Sequence, residues 1–471
     1  MRRAGVLLAV VLVAAGCSDD PDATTSPSSS APAFTAGADG AGDPYFPKYG
    51  NGGYDVGAYD LKVKFDPKTD QLTGTATITA TATQDLAAYN LDLSKLTVSD
   101  VTVDGEKATS SVSGAELTVK PSTGIARGRE FTTVIQYGGQ PSRLANATLG
   151  EGGWLETPTG AIALGQPESA STWYPVNDHP SDKASWHLEM TVPSGLEAIS
   201  NGVQGATRDA GGWTTWTWTE SSPMASYLSY VVIGQYRITT ATHGGKPMIT
   251  AIADSLPADG PAAVSIAKTG EITDFLATKF GPYPFDANGG VVVDEQRIGY
   301  ALETQSRPVY GPSFFNGGEN ETVVAHELAH QWFGDSVALD RWQDIWLNEG
   351  FATYAEWLWD EHEKVQTVEQ AFDDTYENYG WLQTNETTGD PGANRIFGDA
   401  VYQRGGMTVY ALRKTIGDAA FDKLLKQWTT QHRDGNATTD DLIALAEQVS
   451  GKQLDGFFQK WLFEKTKPPK P

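Results

Sequence analysis

Residues 323–330 read Val323-Val324-Ala325-His326-Glu327-Leu328-Ala329-His330, and a second stretch, Trp346-Leu347-Asn348-Glu349-Gly350-Phe351-Ala352, follows after a short interval. The first stretch lies inside an amphipathic pattern over residues 319–334, which predicts a helix. On a helix, residues four apart lie one turn along and nearly on one face. His326 and His330 therefore aim their imidazoles at one position. Glu327 is rotated from them by about 100°. It is poorly placed to be a ligand, but it can reach a water on the open side of an ion. A catalytic zinc takes three protein ligands and keeps one exchangeable position. Glu349 supplies the third. The eighteen residues between His330 and Glu349 leave room for a loop and the start of a second helix packed antiparallel on the first. The chain has seven histidines, and two of them stand at this spacing.

Helical patterns continue on both sides of this pair, over residues 262–280, 342–360, 368–383, 400–416, 419–430, 440–449 and 454–463. Further upstream the period changes to two. Alternating runs recur at 60–65, 74–80, 116–120 and 213–218, with turn signals such as Asp104-Gly105 and Asn201-Gly202. One more β-like run, 248–253, precedes the helices. The expected fold class is multidomain α and β: an antiparallel β-rich N-terminal domain over residues 45–238, followed by a mainly α domain over 239–471. The basic, Pro-rich end, 465–471, is expected to fray.

The composition agrees with a folded chain of this kind. Of 471 residues, 39 % are hydrophobic and 10 % aromatic, enough to bury real cores. The net charge of −25 argues against a nucleic-acid partner, because phosphate binding needs a basic face. The only cysteine is Cys17, so disulfides within the chain are excluded. It follows Met1-Arg2-Arg3, an apolar run from residue 4 to 15, and Gly16. This is the layout of an export signal, and the run is too short to span a bilayer comfortably. Small residues followed at once by Cys resemble a bacterial lipobox, with Ala14 where Leu is commoner. That resemblance implies a signal peptide over 1–16, lipidation of Cys17 and a place at the outer face of the cell membrane. Residues 17–44, dominated by Ser, Thr, Pro, Ala, Asp and Gly, are expected to form a disordered tether.

The stretches HELAHQWFGD (326–335) and WLNEGFATYAEW (346–357) closely resemble the gluzincin aminopeptidase family, which includes aminopeptidase N and leukotriene hydrolase. The resemblance extends over roughly residues 45–471. It implies a thermolysin-like catalytic domain after the β-rich one. Four further positions carry over from it. Tyr300-Ala301-Leu302-Glu303-Thr304 is similar to the family's G-x-M-E-N segment, with Tyr, Leu and Thr at the Gly, Met and Asn positions. Glu303 is thereby implied to bind the free α-amine of a substrate. Gln166-Pro167-Glu168 is similar to the family's Gln-x-Glu segment, and residues 173–184 after it suit the family. This implies Glu168 on the amine and Gln166 in substrate positioning. Tyr402-Gln403-Arg404-Gly405 is similar to the family's Tyr-x-Lys-Gly segment, which implies that Tyr402 stabilises an oxyanion. Many relatives continue into a large helical domain that roofs the cleft. This sequence lacks such a stretch, so a more open site is expected.

Together these readings point to a metallo-aminopeptidase with one zinc per chain. Its partners would be peptides with a free N-terminus, and Glu327 would move the protons. An epoxide hydrolase would need a deep lipid-shaped tunnel, and an endopeptidase would not need paired amine-binding acids. A peptide-binding lipoprotein without activity would not need Glu327 and Tyr402 beside the ligands. The N-terminal reading generates a test. Cys17→Ser should move the protein out of the membrane fraction, as followed by immunoblot of fractionated cells. A variant that stays in the membrane would count against lipidation at Cys17.

Overall fold

The computed structural model describes residues 33–146, 149–380 and 386–471. Cys17, the signal segment and most of the expected tether lie outside the described residues. Among those described, no helix is long and apolar enough to cross a membrane.

The alternating runs of the first half become strands. In Tyr54–Asp66, Val56, Tyr59, Leu61, Val63 and Phe65 are buried, and Lys62 and Lys64 between them face water. This strand pairs antiparallel with Gln71–Ala82, which pairs antiparallel with Glu130–Gly139. On its other side it pairs with Lys183–Pro193, and here the strands run parallel. Most pairings of the domain are antiparallel as expected, and this parallel pair is an exception. Strands joined by a tight turn must run antiparallel, whereas this pair is joined through more than a hundred residues that form two other sheets. One of those sheets has the order Arg143–Asn146, Gly150–Glu156, Ala161–Leu164, Val231–Gly234 and Glu197–Ser200, and the segment Gln166-Pro167-Glu168 follows directly on its central strand.

The tether ends earlier than residue 44. Thr35–Ala36 adds a parallel strand beside Leu86–Asp92, and Asp43 is only 3 % exposed. Its carboxylate accepts from the amides of Tyr45 (2.7 Å), Phe46 (2.9 Å) and Trp342 (2.8 Å), and it lies 3.3 Å from His179 Nε2. Polar composition suggested disorder here, but one acid with four partners orders the segment. At the other boundary, the strand Tyr236–His243 runs across residue 238. It turns through Gly244-Gly245 into Lys246–Ala253, so the sheet of the second half begins at Tyr236.

In the second half, α1 (Pro261–Ala267) and α2 (Thr269–Phe280) lead to α3 (Glu321–Ala329). Then come α4 (Trp346–His362), α5 (Val368–Asn378), α6 (Asp399–Ile416), α7 (Asp418–Gln431) and α8 (Thr439–Ser450). α3 and α4 pack together as the sequence spacing required, and α4 also crosses α6. At that crossing a Cβ on Gly350 would stand 2.9 Å from the backbone of Gly405. Only glycine lets the two helices approach so closely. The C-terminal end does not fray. Tyr376 donates from its hydroxyl to the Pro468 carbonyl at 2.6 Å, and Lys470 pairs with Asp373 and Glu377 on α5.

Asp43 fastens the first described segment to both halves, which generates a prediction. Burial raises its pKa, but the hydrogen bonds from His179, Trp342, Phe46 and Tyr45 outweigh burial and leave it lowered. Asp43→Ala should cost about 2–3 kcal/mol of unfolding free energy in urea titration at neutral pH. A depressed carboxylate stabilises above its unfolded pKa and loses that contribution as pH falls through the folded value. The difference between native and variant should therefore shrink in acid.

Candidate metal centre and active site

α3 starts where the Asn320 side chain accepts from the Val323 amide at 3.1 Å, an N-cap that sets the register of the histidines. The helix is shorter than the pattern over 319–334 suggested, because the chain leaves helical geometry after His330. Gly334 follows in the left-handed region with φ +133. His330 itself keeps helical dihedrals, and its amide donates to the His326 carbonyl at 3.3 Å. The two rings thus stay one turn apart. Glu349, in the first turn of α4, reaches both. Its Oε2 lies 3.2 Å from His326 Nε2 and 3.3 Å from His330 Nε2.

The opposite ring nitrogens are already engaged. His330 Nδ1 donates to the Phe333 carbonyl at 3.0 Å, and His326 Nδ1 donates to Glu356 Oε1 at 2.6 Å. These contacts engage Nδ1 of each ring and leave both Nε2 atoms facing Glu349. One donor atom from each of His326, His330 and Glu349 lies within 4.8 Å of the others. Two imidazoles and a carboxylate form a donor set suited to catalytic zinc. Burial would raise Glu349, but His330 and His326 hold its carboxyl below the usual carboxylate range.

A cavity of about 400 Å³ opens over this trio. Glu327 lines it one residue from His326, and burial pushes its carboxyl up to about 8 against the pull of His326 and His330. Tyr402 enters from α6, its ring stacked 6.0 Å from that of His326. Burial, with Glu349, Glu303 and Glu327 nearby, raises the phenol well above its ordinary value. It stays a protonated donor at any working pH. Glu303 lines the cavity beside His330 and Glu327, with Oε1 accepting from Tyr227 Oη at 2.9 Å and Gln166 Nε2 at 3.2 Å. Gln331 Nε2 donates to the Glu303 carbonyl at 3.0 Å and fixes the backbone there.

The structure therefore brings His326, His330, Glu349, Glu327, Tyr402, Glu303 and Gln166 to one cavity. It does not bring Glu168 there. Glu168 lies in a separate hollow of about 40 Å³ beside Tyr49, and the Tyr300 ring is a common wall of the two spaces. Burial pushes its carboxyl up to about 7, with Asp178 adding to the rise and Tyr49 opposing it. Two residues at the site escaped the sequence reading. Glu356 stands seven residues after Glu349, two turns along the same face of α4, and that spacing was a usable signal. Tyr227 reaches Glu303 across 76 residues of chain, and no local pattern marks it.

Comparison with known proteins gives two family matches: the Peptidase M1 N-terminal domain over residues 56–228 and the Peptidase family M1 domain over residues 313–461. The chain is 26 % identical over 468 residues to Aminopeptidase M1 of Arabidopsis thaliana, covering 91 % of this chain and 52 % of that protein. It is 29 % identical to the M1 zinc metallopeptidase of Deinococcus radiodurans, whose crystal structure it matches with a TM-score of 0.84 over 92 % of this chain and 98 % of that one. A mutant of that metallopeptidase, bound to a Tyr-Ser-Ala substrate, matches with a TM-score of 0.84, 29 % identity and coverage of 92 % and 99 %. The chain spans between 37 % and 52 % of the length of the first curated relatives it matches.

The contact between Glu356 and His326 generates a further test. Glu356→Gln should weaken zinc binding by roughly ten- to a hundredfold, because the carboxylate fixes ring orientation and raises ligand basicity. Competition against a chromogenic chelator reads this directly. Unchanged affinity would remove Glu356 from the support of the centre.

Proposed function

The chain belongs to the M1 peptidase family, and from that premise we propose that it is a zinc-dependent aminopeptidase acting on peptides with a free N-terminus. One observation carries the proposal: the buried carboxylate of Glu303, held by Tyr227 and Gln166, faces the same cavity as His326, His330 and Glu349. An acid at that position can hold the ammonium of a first residue while its carbonyl lies at the metal. Engaging the amine limits how far a peptide can enter, which makes the cleavage terminal.

His326, His330 and Glu349 would hold the zinc, and the chemistry it would supply there is an acidified water and a polarised carbonyl oxygen. Glu327 takes a proton during attack and returns it to the leaving amine. The Tyr402 hydroxyl donates a hydrogen bond to the oxygen that becomes negative. Gln166 and Tyr227 hold the Glu303 carboxylate in place before the substrate arrives, so that little ordering remains to be done on binding.

Export and anchoring through Cys17 belong to the same proposal, supported by the charged start, the apolar run and the single cysteine. The zinc chemistry does not depend on them.

The test uses aminoacyl fluorogenic substrates and their N-acetylated forms. Activity on free substrates should vanish with a chelator and return with zinc. Acetylation removes the ammonium and leaves the Glu303 carboxylate facing an uncharged group, so efficiency should fall on the order of a hundredfold. Glu303→Ala should slow the free substrate sharply and narrow that gap. Equal efficiency for free and acetylated substrates in the native protein would sink the aminopeptidase reading.

A further inference from the structure

The segment Gln166-Pro167-Glu168 divides between two spaces. Gln166 lines both the metal cavity and the adjoining hollow and touches Glu303, whereas Glu168 lines only the hollow. Three residues line both spaces, Leu149, Gln166 and Tyr300, and Tyr300 is the aromatic one. Its backbone belongs to the segment that leads through Ala301–Leu302 to Glu303, and its carbonyl accepts from the Gly311 amide at 3.1 Å. Its side chain crosses to the β-rich half, where the hydroxyl donates to the Glu151 carbonyl at 3.2 Å. The ring is held at both ends and is 7 % exposed. It borders the cavity on one side and the hollow on the other.

This position bears on the first residue of a substrate. The amine and the side chain of an amino acid leave the same carbon, so their first atoms are only about 2.5 Å apart. An ammonium held by Glu303 beside Gln166 therefore places the start of its side chain next to the walls that Gln166 shares with Tyr300. Glu168 lines the hollow that Tyr300 also borders, a half-buried carboxyl that feels the Tyr49 hydroxyl and the Asp178 carboxylate. A long cationic side chain could pair with it only by passing the ring.

We propose that Tyr300 is a specificity-determining residue: its ring shuts an acidic subsite around Glu168 off from the metal cavity, and so disfavours arginine or lysine as the first residue. This rests on the aminopeptidase reading and adds to it. With the ring removed, hollow and cavity become one space, and a guanidinium reaches Glu168 for a charge-assisted pair. With the ring kept, Glu168 takes no part in binding the substrate.

The test compares Ala, Trp and Arg as first residues, both as kcat/KM on fluorogenic substrates and as calorimetric affinity for the free amino acids. Tyr300→Ala should raise the Arg-to-Ala ratio about tenfold in both measurements. Tyr300→Phe keeps the ring but loses its tie to the Glu151 carbonyl, and should raise the ratio less than Tyr300→Ala does. Adding Glu168→Gln to Tyr300→Ala should remove the gain for Arg. The proposal is overturned if the ratio in Tyr300→Ala stays within about twofold of native, if Trp gains as much as Arg, or if Glu168→Gln leaves the gain intact. Calorimetry separates the two ideas: a native protein without turnover would sink the aminopeptidase reading, while the affinities still decide the role of Tyr300.

Discussion

One carboxylate oxygen, Glu349 Oε2, lies within 3.3 Å of both metal-facing ring nitrogens, and the geometry of the catalytic half follows from satisfying it. The ion pairs with His326 and His330 are buried, so the desolvation cost is offset only if α3 and α4 hold this geometry closely. With α4 set there, Glu356 falls two turns along and orients His326. Gly350, next to the ligand, becomes the point where α4 and α6 cross backbone to backbone. That close approach brings Tyr402, three residues before Gly405, over the imidazole of His326.

The cavity concentrates negative charge. Glu303, Glu327, Glu349 and Glu356 all line it, against two imidazoles. Buried acids at such density raise one another's pKa, and the shifts of Glu327 and Glu303 follow this pattern, with burial the larger cause. A divalent ion and an ammonium are the two charges that would relieve it. This imbalance of charge selects what enters the site, and the acidic surface of a chain with net charge −25 adds a mild attraction for cationic ligands.

How far the sequence discloses this depends on how local each relationship is. His326, Glu327 and His330 are legible because helix geometry alone fixes their faces, and Glu349 because the interval suits a helical hairpin. Strand alternation in residues 54–66 is likewise local. The parallel partnership with Lys183–Pro193 is not, since it depends on what the intervening sheets do. Asp43 sits in a stretch of disorder-prone composition, yet its partners at 179 and 342 order it. The placement of Glu168 was misjudged for a related reason. The Gln-x-Glu resemblance concerns three adjacent residues, while the Tyr300 side chain that walls Glu168 off belongs to another part of the chain. Tyr227, distant from Glu303 in sequence, left no trace at all.

The amine end of the cavity is assembled from both halves: Gln166 and Tyr227 from connecting segments of the β-rich half, Glu303 from the segment before α3. Neither half therefore carries a complete selectivity of its own. A gene exchange between relatives with its breakpoint near residue 236 would leave the metal ligands intact but pair a Glu303 loop with foreign hydroxyl and amide donors. Such hybrids would inherit the chemistry without its choice of substrate, which makes the two halves one heritable unit despite their separate architectures.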